Sequence, residues 1–245
     1  MAKRSKDLKG RTQPILQRPI RFRNYEYFFL IVCEDENTEP AYFEQFQAQV
    51  PENTFFLRRI GTGLDPKGVV ERTILEREKL KIEAKKEVDE TWAVFDKDDA
   101  DENATKIQRF EQAFSIAEQE QIELAYSNEV FELWLLLHLT IISHQIPLSR
   151  QAIYQRLETE IRRRPGFETF TYQHGDTDIL DKIQRLGDES AAIRRAETLF
   201  QAQSGTPPIE ANPSTRVYLI VKSLREKIAF YAWQPDDKTS SGHQT

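Results

Sequence analysis

The sequence predicts an α/β protein: a parallel sheet of about four strands flanked by helices, followed by a helical C-terminal part. Three observations carry this expectation. Short apolar, β-branched and aromatic runs recur at residues 28–33, 54–60, 91–95 and 122–126, and helical stretches separate them, which is the spacing of βαβ units. The first run, Phe28-Phe29-Leu30-Ile31-Val32-Cys33, is apolar throughout, as a strand buried on both faces must be. After Thr140 no convincing strand run appears and amphipathic helical segments take over.

In chain order, residues 1–23 form a basic arm with Pro14 and Pro19 against a helix. The first strand ends on Glu34-Asp35-Glu36, and Thr38 with Pro40 reads as the cap and first turn of a helix that stops at Pro51. After the second strand, Gly61-Thr62-Gly63 reads as a turn, Asp65 as a cap and Pro66 as the first residue of a long charged helix reaching residue 87. The third strand runs into Asp96-Lys97-Asp98-Asp99, and a helix follows to about Gln119. The fourth strand ends on Ser127-Asn128, with an apolar helix predicted over residues 129–138. Helices are expected at residues 149–163, 177–186 and 188–203, and Asn212-Pro213-Ser214-Thr215 reads as the start of a last helix to about Ala232. The polar residues 236–245 read as a disordered tail. The expected organisation is therefore arm 1–23, α/β domain 24–145, helical subdomain 146–235 and tail 236–245.

Composition narrows the function classes. The chain has 245 residues, 39% hydrophobic and 30% charged, a balance expected of a soluble globular protein. Its apolar runs are too short to span a bilayer, and its charged beginning lacks the apolar core of a signal peptide, so a cytoplasmic protein without a membrane partner is expected. One cysteine, Cys33, excludes an internal disulfide and a cysteine-built zinc site. The net charge of −6 divides into +7 on residues 1–23 and −13 on the rest. A basic arm can follow a phosphate backbone, and its first dozen residues read equally well as a disordered solubilising tail, while the acidic body argues against a dedicated sequence reader of duplex DNA.

The residues that can carry chemistry cluster at strand ends. Glu34 follows the first strand, and Asp96 and Asp98 follow the third. In an open α/β sheet that edge binds ligands, and neighbouring strands would bring the three carboxylates to one crevice. Oxygen ligands of this kind suit Mg²⁺ or Mn²⁺, which can activate water and stabilise charge on phosphate. Glu132, inside the apolar stretch Phe131 to His138, is costly to bury unless paired, and either a site role or an ordinary buried salt bridge would account for it. Ser127 and Asn128 end the fourth strand at the same edge, and Asp35 and Asp99 flank the candidate ligands, so these four are accessory candidates. His138 is expected in the core, and Cys33 is too deep in a strand for a nucleophile. Neither a phosphate-binding GxxxxGK[S/T] loop nor a GxGxxG turn occurs.

Leu30-Ile31-Val32-Cys33-Glu34 with Thr38-Glu39-Pro40 and Tyr42-Phe43, Trp92 through Asp99, Ser127-Asn128 with Phe131 through His138, and Asn212-Pro213-Ser214-Thr215 together resemble the RloB-like family over residues 28–227. That family looks like a branch of the Toprim-type catalytic domains, whose hallmark is a glutamate after one strand and D-x-D after another. The resemblance implies a Toprim-like sheet and a Mg²⁺-dependent centre that cleaves or joins nucleic acid, RNA or DNA. It makes Glu34 an acid/base or metal-linked glutamate and Asp96 and Asp98 metal ligands. It also implies a place in bacterial anti-phage or restriction-linked loci beside an ATPase partner. Two departures stand out: Asp35 where the family usually has glycine, and Glu129 where it tends to have proline.

Two functions follow. One is a metal-dependent nuclease acting in anti-phage defence with Glu34, Asp96, Asp98 and Glu132 as its catalytic set. The other is a non-catalytic regulatory subunit that binds an ATPase or nucleic acid and retains the acidic edge as a relic. A full primase or topoisomerase would need further domains for which this length leaves no room.

Overall fold

Apolar runs buried on two faces need helices on both sides, and that demand organises the computed structural model, which describes residues 22, 25–52 and 54–233. The predicted arm, Phe22 apart, and the predicted tail lie outside the described residues. The elements are β1 (Tyr27–Cys33), α1 (Thr38–Gln47), β2 (Phe55–Gly61), α2 (Pro66–Ala84), β3 (Glu90–Asp96), α3 (Ala104–Gln119), β4 (Glu123–Asn128), α4 (Glu132–Leu139), α5 (Arg150–Arg162), α6 (Asp178–Leu186), α7 (Glu189–Ala202), β5 (Ser214–Thr215) and α8 (Val217–Ala232). The sheet order is β2-β1-β3-β4-β5. β1 pairs in parallel with β2 and β3, and β3 with β4, while β5 is antiparallel to β4. This is an α/β architecture consistent with the Toprim-like fold.

Strand alternation sorts the core into two layers. Phe29, Ile31, Cys33, Trp92 and Val94 face a large cluster built with α1, α4 and the C-terminal helices. Phe28, Leu30, Val32, Ala93 and Phe95 face a smaller cluster completed by Val69, Val70 and Leu80 of α2 and Phe110 and Ala113 of α3. β1 and β3 are thus covered on both faces, which is why their sequences show no polar alternation.

Four local expectations are corrected. Ser214-Thr215 forms a short strand instead of opening a helix: it pairs with Ser127 and Asn128, and the Ser127 and Thr215 hydroxyls lie 2.9 Å apart. Two polar residues carry no hydrophobic period, so the strand is invisible to patterning. Asn212 is therefore not a helix cap. Its side-chain oxygen accepts from Leu148 N (2.8 Å), and its amide donates to Leu148 O (2.9 Å) and to Glu129 Oε1 (3.1 Å). Residues 129–131 precede α4, because Glu129 O accepts from Asp98 N (2.9 Å) and Phe131 N donates to Asp96. Finally, Thr38 is the first residue of α1 and not its cap, which falls at Asn37 with no side-chain cap bond; the Asp35 carboxylate accepts from Thr38 N at 2.6 Å.

Gly61 explains how the turn after β1 packs. A Cβ there would lie 2.6 Å from both Asp35 O and Glu36 Cα, so only glycine lets β2 end against residues 35–36.

Candidate active site

Parallel strands end at one edge of the sheet, and helices that begin there point their N-terminal turns at it. β1 delivers Glu34, β3 delivers Asp96 and Asp98, the first turn of α1 delivers Glu39, and the first residue of α4 is Glu132. Glu34 Oε2 accepts from Asp96 N (2.8 Å), and Asp96 Oδ2 accepts from Phe131 N (2.9 Å). Glu39 Oε2 accepts from Asp35 N (3.2 Å). Glu132 accepts from the Tyr172 hydroxyl, and His174 Nδ1 stands 3.4 Å from the same oxygen. Tyr154 completes this wall, its hydroxyl 3.2 Å from His174 Nδ1 and its ring 5.1 Å from that of Tyr172.

The edge straddles the sheet. Glu34 lines a groove of about 120 Å³ on the α2/α3 side together with Asp65, Lys97, Asp98, Asp99, Lys106 and Arg109. Asp96 lies on the α1/α4 side, bonded to the backbone that leads into α4. The hydrogen bond from Asp96 N to Glu34 joins the two sides.

Crowding and burial dominate the electrostatics. Burial, only partly offset by the Asp96 N–H, pushes Glu34 up to about 8. Asp96 and Glu39 are raised well above the ordinary carboxylate range, first by burial and then by the charges around them: Glu39 and Glu34 act on Asp96, and Glu34 and Asp35 on Glu39. Asp98 is raised by burial against the opposing pull of Arg150. His174 is raised by its contact with Glu132. Among the described residues, Asp96 Oδ1 is buried with no hydrogen-bond partner, an expensive state for a carboxylate oxygen.

Asp98 has a left-handed backbone (φ 48°), its N–H held by Glu129 O at 2.9 Å, and its Oδ1 meets Arg150 Nη2 at 2.5 Å. The accessory candidates divide. Asp35 accepts from Thr38 N at the start of α1, without a left-handed φ, so the turn after β1 accommodates a residue other than glycine. Asp99 is outside the cluster, paired with Lys106 at 2.5 Å. Ser127 and Asn128 are buried; Ser127 bonds Thr215, and the Asn128 amide donates to Pro208 O (3.0 Å) and Ile209 O (3.3 Å). They hold β5 and the chain before it. Glu129 pairs with Lys97 at 3.0 Å.

Sequence reasoning missed Glu39, Arg150 and the Tyr154–Tyr172–His174 wall. Glu39 had a usable signal: it is an acidic residue in the first turn of a helix that starts at the ligand-binding edge. Arg150 and the wall had none, because only the tertiary fold brings residues 150–174 back over the edge of β3.

The donor set consists of carboxylate oxygens, the chemistry that suits a hard divalent cation, and the orphaned Asp96 Oδ1 fits that chemistry. Yet no three His, Cys, Asp or Glu side chains among the described residues are arranged as a ready ligand set. Asp98 turned onto Arg150 is one visible reason. The model of the family described as RloB-like protein matches residues 29–224 of the chain. No curated protein and no solved structure matches it.

Proposed function

We propose that this chain, which belongs to the RloB-like protein family, is a metal-dependent nuclease acting on RNA or DNA at the carboxyl edge of its sheet. The observation that carries this reading is that Asp96, with one buried oxygen left unpaired, feels the charges of Glu34, Glu39, Asp98 and Glu132 from around the edge. Stability alone gives no reason to crowd carboxylates so. Asp96, Asp98 and Glu34 would hold Mg²⁺ or Mn²⁺, and the ion would supply the positive charge that a phosphodiester needs as it is attacked. Without the ion, Glu34 is raised to about 8 and keeps a proton at neutral pH, which binding of the ion would displace from the oxygen not bonded to Asp96 N. Tyr172 orients Glu132 by its hydroxyl. Half-exposed Tyr154 and exposed His174 offer faces against which bases can stack.

Defence against phage, a cytoplasmic setting and an ATPase partner are part of the proposal and rest on the family resemblance. Among the described residues no helix is long and apolar enough to cross a membrane. The test is cleavage of single- and double-stranded RNA and DNA in Mg²⁺ or Mn²⁺, paired with phage challenge in cells. Asp96→Asn keeps the side chain's size and removes its charge; cleavage and protection should both fall to background, as a chelator would make cleavage fall. One observation favours the non-catalytic reading: Asp98 is neutralised by Arg150 and no ligand set stands ready. Full protection by Asp96→Asn and Glu34→Gln, both folded, would establish that alternative.

A further inference from the structure

The cations around the acidic edge do not have equivalent partners. Lys97 is committed to Asp101 (2.9 Å) and Glu129 (3.0 Å), Lys106 to Asp99 (2.5 Å) and Glu102 (2.6 Å), and Arg109 to Asp65. None of those acids belongs to the candidate catalytic set. Arg150 differs: its guanidinium sits on Asp98, the second aspartate of the D-x-D pair, at 2.5 Å. Its charge also draws down Glu34, against the burial that raises it.

Both backbones that frame this pair are fixed. Asp98 N is bonded to Glu129 O, and Leu148, two residues before Arg150, is clamped at N and O by Asn212, which also bonds Glu129 Oε1. Ser149 caps α5 by accepting from Ala152 N at 3.3 Å. The anchor of Arg150 is therefore set relative to Asp98, while the pair itself is open to solvent, with side chains 44% and 37% exposed. A long side chain on a fixed anchor, half in water, can change partner without moving the fold. A guanidinium also matches two phosphate oxygens as well as it matches a carboxylate.

We propose that Arg150 is a phosphate-positioning residue that exchanges Asp98 for a phosphodiester of the nucleic acid when a divalent cation takes Asp98. This rests on the cation-dependent reading of the edge. The two charges replace each other: the cation takes over neutralisation of Asp98, and the freed guanidinium meets the phosphate beside it. Until then Arg150 competes with the cation for Asp98.

Two measurements on the full chain test the exchange. In calorimetric titration with Mn²⁺, Arg150→Ala and Arg150→Gln should bind the ion about two- to fivefold more tightly than the parent, the range open to a half-exposed ion pair. In fluorescence anisotropy with a short oligonucleotide and Ca²⁺ in place of Mn²⁺, the same variants should bind more weakly. Their salt dependence should lose about one phosphate contact, and Arg150→Lys should fall between them and the parent. Unchanged or weaker Mn²⁺ binding in both variants, with the parent binding normally, would overturn the competition while sparing the cation site. Unchanged oligonucleotide affinity and salt slope would overturn the phosphate role. If neither parent nor variants bind Mn²⁺, the cation reading fails and the exchange fails with it.

Discussion

β3 carries a carboxylate at each end, and the two are treated in opposite ways. Glu90 opens the strand and is saturated: it accepts from Tyr27 Oη (2.8 Å), Trp92 Nε1 (2.9 Å) and Ser223 Oγ (2.6 and 2.8 Å), with Lys227 at 3.8 Å. Asp96 closes the strand and is starved: one oxygen has a backbone N–H, the other nothing among the described residues, and its neighbours Glu34, Glu39, Asp98 and Glu132 are themselves acids. Five residues of one strand therefore separate a carboxylate used as a joint, tying β1, β3 and α8 together, from one that the fold tolerates at a cost. The first is what stability selects; the second is what the proposed cation site would require.

Mutation of the two ends should separate them most sharply. Glu90→Ala leaves the Tyr27, Trp92 and Ser223 donors without their acceptor, and should cost about 2–3 kcal/mol of stability with cleavage per folded molecule retained. Asp96→Asn relieves repulsion, and its melting temperature should stay level or rise while cleavage is lost. Denaturant unfolding beside a nuclease assay checks both. Equal destabilisation by the two changes would erase the distinction.

Glu132→Gln sharpens it within the acidic end. The amide oxygen can still accept from Tyr172, so the melting temperature should move little, whereas loss of the charge beside Asp96 should depress cleavage strongly. A large drop in stability with cleavage per folded molecule intact would put Glu132 with Glu90, as a joint.

The smallest expected effect is the pH dependence. Glu34 titrates at about 8 in the fold against an ordinary value of 4.5, and Asp96 and Glu39 are shifted in the same direction. Between those values the folded state binds more protons than the unfolded chain, so stability declines as pH rises from about 4.5 through 8. Asp65 and Asp99, lowered by Arg109 and Lys106, act oppositely and below that window, where acid removes their contribution. Melting temperatures in chelator should fall across the window, and Mn²⁺ should flatten the fall. A level or rising profile in chelator would mean the carboxylates are not held protonated.

Much of this is legible in the sequence. The unbroken apolar run of β1 announced a doubly covered strand, and Glu34 and Asp96-x-Asp98 stood at the ends of such runs, where α/β topology places ligands. Illegible were contacts made across long separations by residues without periodic pattern. Ser214-Thr215 is too short and polar to read as a strand, Asn212 works through its side chain on Leu148 and Glu129, and Arg150 meets Asp98 only because α5 folds back over the edge. Glu39 lies between: its place in the helix start is visible in the sequence, its role at the edge is not.

The central claim is that the carboxylates at the end of β3 are gathered for a divalent cation. Calorimetric titration of Mn²⁺ into the parent chain and into Asp96→Asn tests it most directly. Saturable binding by the parent that disappears in Asp96→Asn, with the variant folded, is the predicted result. Absence of binding to the parent, or equal binding by both proteins, would contradict it.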